Sequence, residues 1–382
     1  MMKNLVLIGG GHSHAIALRL FGINPILNIR LILISESPQT PYSGMIPGNV
    51  AGFYTDRECH IDLRQLTEFA QVKFIVDKVV DVDLKNRQIF CAKRLPISFD
   101  FLSINTGSTP TILSVKGASE YAIAVKPISE FLPKWHRLVE QVSEQPSQPI
   151  SLGIVGGGAG GVELALTMQA GLHRVLQMAQ QPLSNLQIHL FERSAELMEN
   201  HHQWVKRHMK KLLTRRGIQL HLKESVCEVQ PQLVRCESGL VVKCDRLFWV
   251  TQASAPNWPK KSGLVTDEAG FILVNNNLQS VSHPHVFAAG DIATIENNPC
   301  PKAGVFAVRQ GKPLFNNWQR MVEGQTLEPY YPQKRYLSLI GTGDGSAVAS
   351  WGKYGWESPL LWYLKDSIDR RFMAQFEKLG SE

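Results

Sequence analysis

Two glycine-rich segments hold the residues whose types and spacing point most directly to chemistry: Gly9-Gly10-Gly11-His12-Ser13-His14 and Gly156-Gly157-Gly158-Ala159-Gly160-Gly161. In a G-x-G-x-x-G turn between a strand and a helix, the first glycine permits the tight turn. The second lets a pyrophosphate approach the backbone, and the helix N-terminus offers N–H groups and a favourable dipole. Gly9, Gly11, Gly156, Gly158 and Gly161 are thus candidate cofactor-binding residues. The first segment carries His14 where the third glycine would stand, so its helix is expected to sit slightly further from its strand. Each segment leads to a second apolar strand closed by an acid, Glu36 or Glu192, which can accept hydrogen bonds from adenosine-ribose hydroxyls. Glu192 favours a free 2′-hydroxyl, hence NADH over NADPH, although Arg193 beside it could tolerate a 2′-phosphate. Ala288-Ala289-Gly290-Asp291 places an acid after a buried strand, where Asp291 can bond a ribityl hydroxyl of a flavin. Asn105-Thr106-Gly107-Ser108 supplies a turn at a domain crossing. Either of these two, taken alone, reads as an ordinary strand-ending turn.

The elements that must position these residues repeat. Leu5–Gly11, a helix from Ser13 to about Phe21 and Arg30–Glu36 match Leu152–Gly158, a helix from about Gly161 to Met178 and Gln187–Glu192. Near-continuous apolar strands indicate parallel sheets covered on both faces. The expected fold class is α/β: two Rossmann-like dinucleotide-binding domains, the second inserted in the first, plus a small C-terminal α+β region. The expected boundaries are 1–117 with 263–328, then 118–262, then 329–382. Leu240–Cys244 and Leu247–Val250 read as strands, as does Tyr336–Ile340, with a final helix from about Pro359.

Composition narrows the class. The 382 residues are 44% hydrophobic and 19% charged, which suits a folded protein of two or three domains and excludes a disordered one. No apolar run approaches a bilayer span, and the N-terminus lacks a signal-peptide pattern, so a cytoplasmic location is expected. The +7 formal charge is modest and dispersed, which argues against nucleic acid. Cys59, Cys91, Cys227, Cys236, Cys244 and Cys300 form no C-x-x-C and no zinc-like pairing with histidine, so neither a metal site nor a neighbouring-dithiol active site is expected.

Together these features resemble the pyridine nucleotide–disulfide oxidoreductase superfamily over nearly the whole chain. Without a dithiol, the sequence is nearer the type II NADH dehydrogenases and sulfide–quinone reductases. Four segments are similar to the oxidoreductase module found fused N-terminal to selenide, water dikinase. They are Gly9–Ala15, Thr40-Pro41-Tyr42-Ser43-Gly44-Met45-Ile46-Pro47-Gly48, Cys59–Arg64 and Pro301–Gly311, and the first includes the unusual histidine. The chain ends at Glu382 without a Walker-type motif, so either the oxidoreductase half of a fusion or a stand-alone relative is expected.

The resemblance implies that Gly9, Gly11, His12, Ser13, Glu36, Thr106, Gly107, Gly290 and Asp291 hold FAD, with Val79 at its adenine side. Thr40–Gly48 would lie beside the flavin ring, with Pro47 helping to stiffen it. Lys302 and Ala303 would start a helix aimed at the flavin's pyrimidine end. Gly156, Gly158, Gly161 and Glu192 would hold NAD(P)H, and Glu163 would stand near the nicotinamide. Glu163 and Lys302 are the catalytic candidates. The implied reaction is hydride transfer from nicotinamide to flavin, with electrons passed to a non-dithiol acceptor; a quinone, a selenium or sulfur species and dioxygen are all open. Two alternatives stand beside it: a membrane-associated NADH–quinone reductase, and a flavin-bearing docking module for a selenide, water dikinase partner.

Other features have plainer readings. A thiolate at Cys300 would gain from the following helix, though an inert thiol suits it better. His12, His14 and Tyr42 could touch cofactor or simply stabilise their turns. Lys206, Arg207, Lys210, Lys211, Arg215 and Arg216 read as a solvated helix face, with Trp204, Met209, Leu212 and Leu213 turned inward. In the tail, Leu361, Leu364, Ile368, Phe372 and Phe376 recur at helical spacing opposite Lys365, Asp366, Asp369 and Arg370. The tail's balanced charge points to packing on its own body, a dimer partner or a fused domain, with peripheral membrane attachment as the less favoured use.

Overall fold

The computed structural model describes residues 2–110, 115–251, 253–377 and 379. Leu5, Val6, Leu7 and Ile8 are buried on both sides of their strand, as a central parallel strand requires. That strand, Lys3–Ile8, lies in a five-stranded parallel sheet with spatial order Val286–Ala288, Phe101–Ile104, Lys3–Ile8, Ile29–Ser35, Lys73–Val76. The edge strand Val286–Ala288 comes from the far end of the chain, so this first unit is assembled from both sides of an insertion. The second unit repeats the arrangement as Ala122–Ala124, Arg246–Trp249, Ile150–Val155, Leu186–Glu192, Gln219–Leu222, again all parallel. In each unit a helix follows the central strand: His12–Ile23 in the first and Ala159–Met178 in the second. Of the two strands expected between 240 and 250, Arg246–Trp249 lies inside the second parallel sheet. Val241–Lys243 joins a separate antiparallel sheet with Val226–Gln230 and Leu233–Cys236.

The chain crosses between units on a short antiparallel ribbon, Thr109–Pro110 against Ala253–Ser254. The expected boundaries therefore shift. Val229 N–H donates to the Lys116 carbonyl at 2.9 Å, which attaches Lys116 to the second unit. The turn of helix Trp258–Lys261 packs on the first-unit strand Val79–Asp83, and Ser262 Oγ donates to Asp81 at 3.0 Å, so this stretch belongs with the first.

After residue 329 the strands Ser338–Gly341, Ala347–Trp351 and Tyr354–Ser358 form an antiparallel sheet against the helix Pro359–Glu377. The helix buries only part of the face its spacing suggested. Leu361, Trp362, Lys365, Asp369, Phe372, Met373 and Phe376 are buried, whereas Leu364 and Ile368 are 43% and 48% exposed. The reason is electrostatic. Lys365 Nζ donates to Asp369 at 2.7 Å and to the Gly44 carbonyl at 2.5 Å, so two opposite charges satisfy each other beneath the helix and displace apolar side chains outward. Trp204 also departs from its expected inward position: it is partly exposed and stacks on His208 at 4.5 Å, leaving Val205, Met209, Leu212 and Leu213 as the buried face of Gln203–Arg215.

Candidate functional site

The first glycine turn is closed by Asn105. Gly9 has φ +91, and a Cβ there would lie 2.5 Å from the Asn105 carbonyl oxygen; one at Gly11 would lie 2.3 Å from Asn105 Oδ1. Gly11 N–H donates to the Asn105 carbonyl at 3.2 Å, His14 N–H to Asn105 Oδ1 at 3.3 Å, and Asn105 Nδ2 to the Ala289 carbonyl at 2.6 Å. One buried amide thus joins the turn, the strand Phe101–Ile104 and the segment that carries Gly290 and Asp291. It stood in a quoted motif but was not among the expected ligands, because its role depends on three strands meeting.

Several expected cofactor contacts are spoken for. The Ser13 hydroxyl is buried and donates to the Ala307 carbonyl at 2.6 Å, which bonds two helices together and leaves only its backbone N–H toward a phosphate. His14 is buried beneath the turn. His12 turns away from the helix start: its Nε2 lies 3.2 Å from the Pro41 carbonyl, and its ring meets Tyr42 and Phe372 edge-on. Burial lowers its pKa below the ordinary imidazole value. Ala303 N–H is directed at the Pro301 carbonyl at 2.9 Å, so the free donors of helix Gly304–Val322 begin after it. Lys302 is held beside the Asp291 segment. Its ammonium donates to the Ala293 carbonyl at 2.5 Å and to Thr294 Oγ1 at 2.9 Å and lies 4.0 Å from the Phe271 ring centre. Burial depresses its pKa to about 8, and these contacts hold its ammonium on the loop that follows Asp291. At Cys300 burial raises the thiol pKa, which favours the inert reading.

The remaining first-unit residues do converge. Asp291 Oδ2 accepts from Lys126 Nζ at 2.8 Å and from Ser108 Oγ at 3.1 Å. Lys126, which carries no motif signal, thus reaches from the start of the insertion to the first unit's acid. Gly290 N–H donates to the buried Gln310 Oε1 at 2.6 Å. Thr106 and Gly107 (φ +77) stand beside open space. Glu36 lies at the exposed end of the sheet, 3.5 Å from Lys78, the residue before Val79. Pro47 sits in the short helix Ile46–Val50 of the Thr40–Gly48 loop.

The second turn is tighter. Gly156 has φ +119, and a Cβ at Gly161 would lie 1.8 Å from the Gly156 carbonyl oxygen, so only hydrogen fits. A Cβ at Gly158 would meet nothing within 4 Å, which is the open side a pyrophosphate needs. Glu192 accepts from Gly157 N–H at 2.6 Å and from Ser194 N–H at 2.8 Å, so its carboxylate is fixed at the turn. On the same helix Glu163 accepts from Gly341 N–H at 2.7 Å. Burial pushes its pKa up to about 7 against the opposing pull of Lys365. Tyr42 stacks on Phe372 at 4.3 Å, and burial beside Asp369 raises its pKa. Glu163 therefore marks the point where the second unit, the Thr40–Gly48 loop and the C-terminal helix meet.

Two glycine-turn cradles of the same topology, joined by a short two-stranded crossing, give the layout of a two-nucleotide oxidoreductase. The sequence pattern of the pyridine nucleotide-disulphide oxidoreductase family matches residues 3–318, and the chain belongs to that family. It is 21% identical over 346 residues to an NADH dehydrogenase-like protein of Bacillus subtilis, covering 89% of this chain and 90% of the relative. It is 22% identical over 400 residues to a type II NADH:quinone oxidoreductase of Haemophilus influenzae, covering 92% and 88%. The structure of NDH2 from Plasmodium falciparum in complex with NADH superimposes with a TM-score of 0.83 at 15% identity, covering 99% of this chain and 98% of that one. The chain is an NADH dehydrogenase-like flavin oxidoreductase whose cofactors are FAD and NADH or NADPH.

Proposed function

We propose that the first cradle binds FAD, the second NADH, and that electrons leave to a quinone at a membrane surface. The convergence at Glu163 carries this reading. There the helix of the second glycine turn, the loop Thr40–Gly48 and the C-terminal helix come together, and the outer face of that last helix is largely apolar from Leu360 to Ile368. FAD held in the first cradle would supply the hydride-accepting and electron-donating chemistry, and this chain's residues would hold and orient it. Gly9, Gly11 and the first-turn N–H groups of His12–Ile23 would hold its pyrophosphate, Glu36 its adenosine end with Val79 nearby, and Asp291, backed by Lys126, its ribityl chain. Thr106, Gly107 and Gly290 would let it approach the backbone. Gly156, Gly158, Gly161 and Glu192 would orient NADH. Quinone reduction consumes protons, and Glu163, with a pKa near neutrality, can hold one at its carboxyl.

Leu360 and Tyr363 are 76% and 67% exposed and continue the outward row of Leu364 and Ile368, with Trp351, Tyr354 and Trp356 exposed just ahead. Among the described residues no helix is long and apolar enough to cross a membrane, so attachment would be peripheral. The balanced charge of the tail had favoured packing inward. The helix does pack inward, through Leu361, Trp362, Phe372, Met373 and Phe376, and burial of Lys365 and Asp369 beside them leaves a separate apolar row outside.

Co-flotation with phospholipid vesicles, together with NADH oxidation by a short-chain quinone and by ferricyanide, tests the proposal. The L364E/I368E variant should lose flotation and most turnover with a membrane-embedded long-chain quinone, while ferricyanide turnover stays within about twofold of wild type. Wild-type protein that neither floats nor reduces any quinone would overturn it. Binding to a selenophosphate-forming enzyme under those conditions would move the reading to the docking module.

A further inference from the structure

The unusual residue in the first glycine turn sits at the meeting point of three segments that the FAD site uses. His14 is fully buried on the helix His12–Ile23. Its Nδ1 lies 2.6 Å from the Gly9 carbonyl oxygen and its Nε2 lies 2.8 Å from Ser103 Oγ. A carbonyl only accepts, so Nδ1 carries the proton. Burial holds the ring pKa down at about 4, so the imidazole is neutral and Nε2 accepts from the Ser103 hydroxyl. The ring also packs against Trp318, with centroids 5.9 Å apart, on the helix Gly304–Val322.

The second unit shows what this arrangement replaces. There the first glycine is held at both ends: Gly156 N–H donates to the Phe191 carbonyl at 2.9 Å, and its own carbonyl is covered by the α-carbon of Gly161. In the first unit Gly9 N–H donates to the Ile34 carbonyl at 2.8 Å in the same way, but its carbonyl is held by the imidazole. The side chain does the third glycine's work and extends it. Through Ser103 it binds the strand that runs into Asn105, Thr106 and Gly107, and through Trp318 it touches the helix behind Gly290.

We propose that His14 is a positioning residue for FAD: it fixes the Gly9 peptide, and with it the phosphate-binding turn, relative to the Asn105–Gly107 turn. It acts through the backbone, without touching the cofactor. Like the assignment of FAD to the first cradle, it rests on the first unit being the flavin site, and the two fail differently.

The test measures FAD affinity of the deflavo protein by flavin fluorescence quenching, NADH affinity at the second site, and the melting temperature of each variant. H14L fills the space without a donor, and H14N keeps an N–H at the Nδ1 position but cannot reach Ser103. H14L should weaken FAD binding about tenfold or more, about 1.4 kcal/mol, with NADH affinity unchanged within about twofold. H14N should recover most of that loss. S103A should resemble H14N, because both cut the same link. H14G, which copies the second unit's residue type but supplies neither hydrogen bond, should bind FAD no better than H14L. H14L binding FAD like wild type, or H14N as weak as H14L at equal melting temperature, would overturn the role. If H14L weakens NADH binding and leaves FAD alone, the cradle assignment itself is the error.

Discussion

The two glycine turns share a topology but are locked by different means. At Gly161 the lock is steric: backbone meets backbone, and a Cβ would fall 1.8 Å from the Gly156 oxygen. At His14 it is chemical: a neutral imidazole bonds the corresponding carbonyl at 2.6 Å. Their acids differ as well. Glu192 is fixed by two backbone N–H groups, whereas the Glu36 side chain is 64% exposed beside Lys78. The second turn is thus closed by its own backbone at Gly161 and by the Glu192 carboxylate. The first is closed by side chains, its own His14 and, from a distant segment, Ser103 and Asn105, and is correspondingly open to tuning by substitution.

The largest expected break is G161A. Its methyl cannot be accommodated without parting helix from turn, so NADH affinity should fall by about a hundredfold or more, on the scale of a severe overpacking or backbone clash. FAD content should be retained; loss of both cofactors in titrations of the purified variant would show that the turns are not independent. Next is the contrast between acids. E192A removes the acceptor for Gly157 N–H and Ser194 N–H together, and should raise the NADH KM about tenfold while narrowing the preference over NADPH. E36A removes the acceptor proposed for the adenosine end of FAD, but from an exposed carboxylate that no backbone N–H fixes, so FAD affinity should fall less, by about threefold. Equal effects from the two alanine variants would erase the distinction drawn between them.

The smallest effect concerns Glu163. Its folded pKa of about 7 lies above the model-compound 4.5, so the folded protein binds more protons than the unfolded chain between those values. The stability this group contributes is fully present below the unfolded value and is lost as pH rises through about 7. E163Q should flatten that slope in urea melts between about pH 5 and pH 8, by about 1 kcal/mol or more across the range. An unchanged slope would mean that the carboxyl titrates normally.

Much of the site was legible in the residues because its constraints are local. A strand, a turn that demands positive φ at Gly9 and Gly156, and a helix N-terminus are properties of consecutive residues. Asp291 and Glu192 were legible for the same reason, each following an apolar strand. Lys126 and Gln310 were not, since nothing near them in sequence marks a residue whose partner lies far along the chain. Nothing in the sequence around Lys302 signalled its partners: a lysine at a helix start suggests a charge presented to a ligand, and its acceptors at Ala293 and Thr294 emerge only in the fold. The tail misled through periodicity, which sorts residues by polarity and has no means of anticipating that Lys365 and Asp369 neutralise each other under the helix.

The sequence by itself determined two parallel α/β units, their glycine turns and the acids that follow them, because backbone sterics and apolar periodicity act over a few residues. Only the tertiary structure decided that Ser13 bonds helix to helix, that His14 spans turn and strand, that Glu163 meets the C-terminal region and that Leu364 and Ile368 face outward. Each of these rests on a pairing between segments far apart in the chain, and such pairings are fixed by what the completed core leaves to satisfy.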